Sequence, residues 1–144
     1  MTADEELERR FAEAEAAIGE LRGQYREWVI EAVGQCMEHA SFVEQTGGDG
    51  ETLQAVFNIA HDVKGTSGGV GYQLVTDVAD SLCRVLRGRR PPLDETPRAV
   101  VLAHMKALDH VVRNDIAGDG GEQGQRLVQE LARLRGLVCD DEED

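Results

Sequence analysis

Apolar residues recur at helical spacing along almost the whole chain. Leu7, Phe11, Ala14, Ile18 and Leu21 alternate steps of four and three with Glu and Arg between them, which predicts an amphipathic helix over roughly 3–22. After Gly23 the stripe resumes as Tyr25, Trp28, Val29, Ala32, Val33, Cys36, Ala40 and Val43. It predicts a second, longer helix that stops at the Gly47-Gly48-Asp49-Gly50 cluster. A third helix is expected from near Glu51, carrying Val56, Ile59, Val63 and Val70. Beyond a short turn near Gly71, a fourth carries Leu74, Val75, Val78, Ala79, Leu82, Val85 and Leu86. The stretch from Gly88 to Pro97 holds all three prolines, so an exposed connection without regular helix is expected there. Val101, Met105, Leu108 and Val112 then mark a fifth helix, Gly118 to Gly124 a loop, and Leu127, Leu131, Leu134 and Val138 a sixth helix. No segment alternates as a strand would. Short loops between long amphipathic helices make neighbours antiparallel, so the expected fold class is all-α: an antiparallel four-helix bundle with one or two accessory helices. The accessory helix is expected over 1–23, within a single domain over 1–139. The run Asp140-Asp141-Glu142-Glu143-Asp144 is expected to be a solvated acidic tail.

Composition supports helix, with 41% hydrophobic residues but only 4% aromatic, and 144 residues bury one core without disulfides or structural metal. A formal net charge of −13 argues against nucleic acid and against anionic membrane surfaces as partners, leaving protein. Three widely spaced cysteines, Cys36, Cys83 and Cys139, and the lack of a long apolar run point to a cytoplasmic protein.

The third helix carries the candidate chemistry. On a helical wheel, Val56, Ile59, Val63 and Val70 fall within about 40° of the side opposite His61, so His61 points away from the core. Gln54, Phe57, Lys64, Gly65 and Gly68 lie within about 60° of His61 and form one outward stripe with it. A solvated face would carry Glu, Lys, Gln or Ala, whereas this one sets an apolar ring and two glycines beside a histidine. Each interior glycine costs about 0.8–1.0 kcal/mol relative to alanine, which close approach of another surface would explain. A neutral imidazole is a good nucleophile near neutral pH. Lys64, one turn on, has the right spacing to meet the oxygens of a phosphoryl group carried by His61, and Gly65 leaves access open. Phe57 fits either a partner contact or a place between helices, and Gly68, Gly69 and Gly71 fit either docking or helix termination. The chain has only two lysines, and chance alone gives His-x-x-Lys-Gly roughly 0.6% of the time.

The string His61-Asp62-Val63-Lys64-Gly65, followed by Gly71, Leu74, Ala79 and Leu82, resembles the signature of the histidine-containing phosphotransfer (HPt) family. The local motif spans roughly 53–86, and the helix count on either side is similar to that family's bundle. Cys83 departs from it, since many members have an acidic residue after the leucine; this touches only a peripheral contact. The resemblance implies a phosphoryl carrier of a multistep phosphorelay. In it His61 is the phosphoacceptor, Lys64 neutralises phosphate charge, Gly65 provides access, and Gln54, Phe57 and Gly68 meet partners. The implied partners are response-regulator receiver domains and a hybrid histidine kinase. The receiver supplies the Mg²⁺, the chain holds no cofactor of its own and has no independent kinase activity, and a monomer is expected. Two alternatives share the fold: a helical adaptor that binds receivers without being phosphorylated, and the detached phosphoacceptor domain of a chemotaxis-type kinase.

Other motifs take bland readings. Lys64 to Gly71 is no Walker loop, because lysine precedes the glycines and no strand leads in. Cys36-x-x-His39 lacks a second pair for zinc and reads as a core cysteine beside a surface histidine, and His104 and His110 are likewise read as surface histidines. No histidine has glutamate three residues earlier, which sets aside a di-iron bundle.

Overall fold

The computed structural model describes residues 2–139, all helix and connections with no strand among them. The acidic tail lies outside the described residues. Six α-helices follow in order: α1 Ala3–Glu38, α2 Ala40–Thr46, α3 Gly50–Ser67, α4 Gln73–Leu86, α5 Glu95–Arg113 and α6 Gly121–Gly136. A single 3₁₀ turn, Gly68–Val70, follows α3. The second half of α1 packs on α3 and α5, α3 on α4, and α4 on α5, closing a four-helix ring. The short α2 rests on α5, and α6 lies against α4 and α5 from outside.

The apolar stripes account for this arrangement. α4 is buried on most sides, with Leu74, Val75, Val78, Ala79, Leu82, Cys83, Val85 and Leu86 in the core. Tyr25, Val29, Val33 and Cys36 enter from α1, Val56, Ala60 and Val63 from α3, and Val101, Met105, Leu108 and Val111 from α5. Cys36 is the core cysteine expected, and burial pushes its thiol pKa up to about 12.

Several boundaries differ from the sequence reading. α1 does not break at Gly23; it runs unbroken through Gly19 and Gly23. A helical glycine costs about 1 kcal/mol but removes no hydrogen bond, so it weakens a helix without ending it. At the start of α1, Thr2 accepts a hydrogen bond from the Glu5 amide, and the Glu5 carboxylate accepts one back from the Thr2 amide. The actual break is at His39, where the His39 amide tightens onto the Cys36 carbonyl with no glycine or proline nearby to announce it. Pro97 belongs to the first turn of α5, where a missing N–H is no loss, so the connection spans only 87–94. Val70 falls in the 3₁₀ turn, and α6 starts inside the expected loop.

His104 is a correction of another kind. It is fully buried, not at the surface: Nδ1 donates to the Val100 carbonyl (2.8 Å) and Nε2 accepts from the Ser81 hydroxyl (2.7 Å). Arg135 Nη1 donates to that same hydroxyl (2.7 Å), so one polar chain joins α6, α4 and α5. Burial lowers the His104 pKa, which keeps the ring neutral and able to accept. Cys83 is also in the core, with its thiol pushed up to about 11 by burial, so it takes no part in a peripheral contact.

Candidate functional site

The middle and end of α3 carry the site. Asp49 caps the helix, its carboxylate accepting from the Thr52 amide at 2.8 Å. Val56, Ala60 and Val63 are sealed in the core, which turns the opposite side outward. At the far end the Tyr25 hydroxyl of α1 lies 2.6 Å from Ser67 Oγ, and Ser67 donates to the Val63 carbonyl (2.7 Å). With Ser67 donating there, Tyr25 is the donor in the first bond. α3 is therefore keyed against α1 on its inner side.

His61 is exposed on the outer side, as the wheel predicts. The Phe57 ring, one turn earlier, stands 6.1 Å from the imidazole between centroids, at an interplanar angle of 22°. Phe57 is half-buried and packs on the core. Gln54 is exposed and donates to Asn58 Oδ1 at 2.9 Å. Gln54 and Phe57 line an open cleft of about 390 Å³ whose far wall is Leu86, Arg87, Arg89 and Pro91. That wall is locally basic in a strongly acidic chain.

Lys64, half-buried one turn beyond His61, is held at 2.8 Å by Asp80 Oδ1 of α4. The other oxygen of Asp80 receives Arg84 Nε at 3.2 Å. Asp80 is the site residue that the sequence reading missed. Its i,i+4 spacing to Arg84 was readable, but its reach across to Lys64 depends on how α3 and α4 cross. A Cβ added at Gly65 would meet no neighbouring atom within 4 Å, so the face beside His61 is open. Gly68 is exposed and right-handed, at the start of the 3₁₀ turn, and does not end the helix by inverting the backbone. Gly71 does that, at φ 89, a conformation that side chains disfavour. The structure thus gathers His61, Lys64, Gly65, Phe57 and Gln54 on one face, with Gly68 two turns on. Among the described residues no group of three or more His, Cys, Asp or Glu is arranged to hold a metal ion, and no helix is long and apolar enough to cross a membrane.

The chain matches the family model of the Hpt domain over residues 5–136. It belongs to the Hpt domain family. No curated protein and no solved structure matches it significantly. For this Hpt domain, membership means phosphotransfer in phosphorelay signalling, with receiver domains and kinases as the general classes of partner. The all-helical bundle agrees with that family's fold.

Proposed function

We propose that this Hpt domain is a phosphoryl carrier in a multistep phosphorelay, accepting the group on His61 from a receiver aspartate and passing it to another receiver. The observation that carries the reading is an exposed imidazole with a lysine one turn away and an open face between them. An imidazole nitrogen lone pair attacks the phosphorus of the acyl phosphate. The N–P bond forms as the P–O bond to the aspartate breaks, and that electron pair leaves on the carboxylate. The transition state is loose, so positioning and charge neutralisation supply most of the catalysis. The receiver contributes its Mg²⁺. Lys64 swings between Asp80 and the phosphoryl oxygens, and Asp80 holds the ammonium in place while His61 is unmodified. Gln54, Phe57 and the cleft beside them receive the partner, together with the bare backbone at Gly65 and Gly68. The chain acts in the cytoplasm, with hybrid kinases and response regulators as its partners and no ATP-dependent self-phosphorylation.

The test is transfer from a phosphorylated receiver to the wild type and to His61→Gln, with the acid lability and base stability of the label checked. Labelling of the wild type alone supports the carrier. A wild type that binds receivers but takes no label from any of them would establish the adaptor instead.

A further inference from the structure

The first two-thirds of α1 stands clear of the bundle: from Ala3 to Gln24 no residue is buried. On it Leu7, Phe11, Ile18 and Leu21 are 55%, 61%, 49% and 56% exposed. With Ala14 they step 4-3-4-3 along the helix, and the next step of four reaches Tyr25, which is buried against Ser67 and Tyr72. At 100° per residue these six positions fall within an arc of about 80°, the narrow seam of a coiled coil. Fully burying one such large side chain is worth roughly 1.5–3 kcal/mol.

We propose that this seam is the interface for a second copy of the chain, packed antiparallel. Direction follows from where the seam leads. It points the same way as Tyr25, so a partner helix on it lies directly above the end of the bundle. A parallel mate would continue past its own Gln24 into the space that Ser67 and Tyr72 fill. An antiparallel mate carries its bundle away from that end, and a two-fold axis then buries both seams at once. Charge agrees. One flank of the seam bears Asp4 and Glu8 near the start and Arg22 near the end, while Arg26 beyond it is committed to its own bundle, pairing with Asp115 at 3.0 Å and donating to the Val112 and Arg113 carbonyls. The two-fold sets this flank against itself, so the acidic end of each copy meets the basic end of the other. Glu15 falls near the axis and faces its own copy at the solvent-screened rim. The small Ala14 leaves room for the larger rings and branches of the mate. This departs from the monomer that the sequence resemblance led us to expect.

Sedimentation equilibrium of the full chain tests the pairing without reference to phosphotransfer. The expected mass is twice 15.8 kDa for the wild type, falling to 15.8 kDa for Phe11→Lys/Ile18→Lys with the thermal transition of the bundle retained. A wild type that sediments as a monomer at every concentration overturns the proposal, as does a double variant that stays dimeric. Orientation is read in a Cys139→Ser background by oxidising a mixture of Leu7→Cys and Leu21→Cys chains. The mixed disulfide is expected to dominate, whereas like-with-like disulfides at both positions would refute the antiparallel arrangement.

Discussion

Gly65 offers a perturbation whose two effects have opposite signs. It lies in the last turns of α3 with ordinary helical backbone, and a Cβ there meets nothing within 4 Å. Replacing an exposed helical glycine by alanine removes conformational freedom from the unfolded chain, so Gly65→Ala should stabilise the fold by about 0.5–1 kcal/mol. In a domain of this size that raises the melting temperature by roughly 2–4 °C. The same methyl group stands beside His61, where the proposed receiver must approach, and Gly65→Gln extends the obstruction further. Misplacing reacting groups by about 1 Å costs on the order of a hundredfold in rate. Phosphotransfer should therefore fall about tenfold in Gly65→Ala and more in Gly65→Gln. The assay pairs a thermal melt with the initial rate of label transfer from one phosphorylated receiver. A lower melting temperature would show that the site is not open. A higher melting temperature with unchanged transfer in both variants would remove Gly65 from the docking surface.

Lys64→Ala should slow transfer roughly ten- to hundredfold by losing a cation at the phosphoryl group, while stability changes by less than about 1 kcal/mol because its ion pair is partly solvated. An equal loss in Lys64→Ala and in a variant distant from the face would contradict that role. His104 makes stability depend on pH. Its folded pKa is lowered by burial, so below about pH 6.5 the unfolded chain takes up a proton that the folded chain refuses. The stability present above that pH is lost as pH falls towards the folded value, by up to about 1.4 kcal/mol per unit. Melting curves should show this slope in the wild type and lose that part of it in His104→Gln. Cys36 and Cys83, with thiols pushed up to about 12 and about 11, should resist alkylation in the native protein, leaving half-exposed Cys139 to react first. Mass spectrometry that finds Cys83 modified in folded protein would contradict its burial.

The bundle and the outward stripe were legible because both rest on a period of 3.6 residues. Val56 and Val63 are sealed inside, and His61 faces out, as the wheel requires. What the sequence hid depends on contacts between helices. Asp80 reaches Lys64 only because α3 and α4 cross at that level, and His104 finds Ser81 and Arg135 only where α4, α5 and α6 meet. Gly23 misled because a residue that commonly ends helices also occurs inside them at modest cost, and His39 ends one with no such signal. The apolar stripe at Leu7 to Leu21 was visible, but the stripe alone did not show that the helix would stand clear of the bundle.

The Tyr25–Ser67 bond and the sealed valines hold the inner side of α3 from behind. Apart from the Phe57 ring stacked on the imidazole, what fixes the direction of His61 lies on the side away from the surface that a partner would touch. Gln54, Asn58 and Asp62 are exposed and share none of their contacts with that inner lock. Such a division lets duplicated copies of a gene exchange these outer positions, and so change which signalling pathway they serve, while the fold and the nucleophile are inherited intact. Insulation between parallel pathways can then evolve by a few surface substitutions at a time, none of which has to pass through an unstable intermediate.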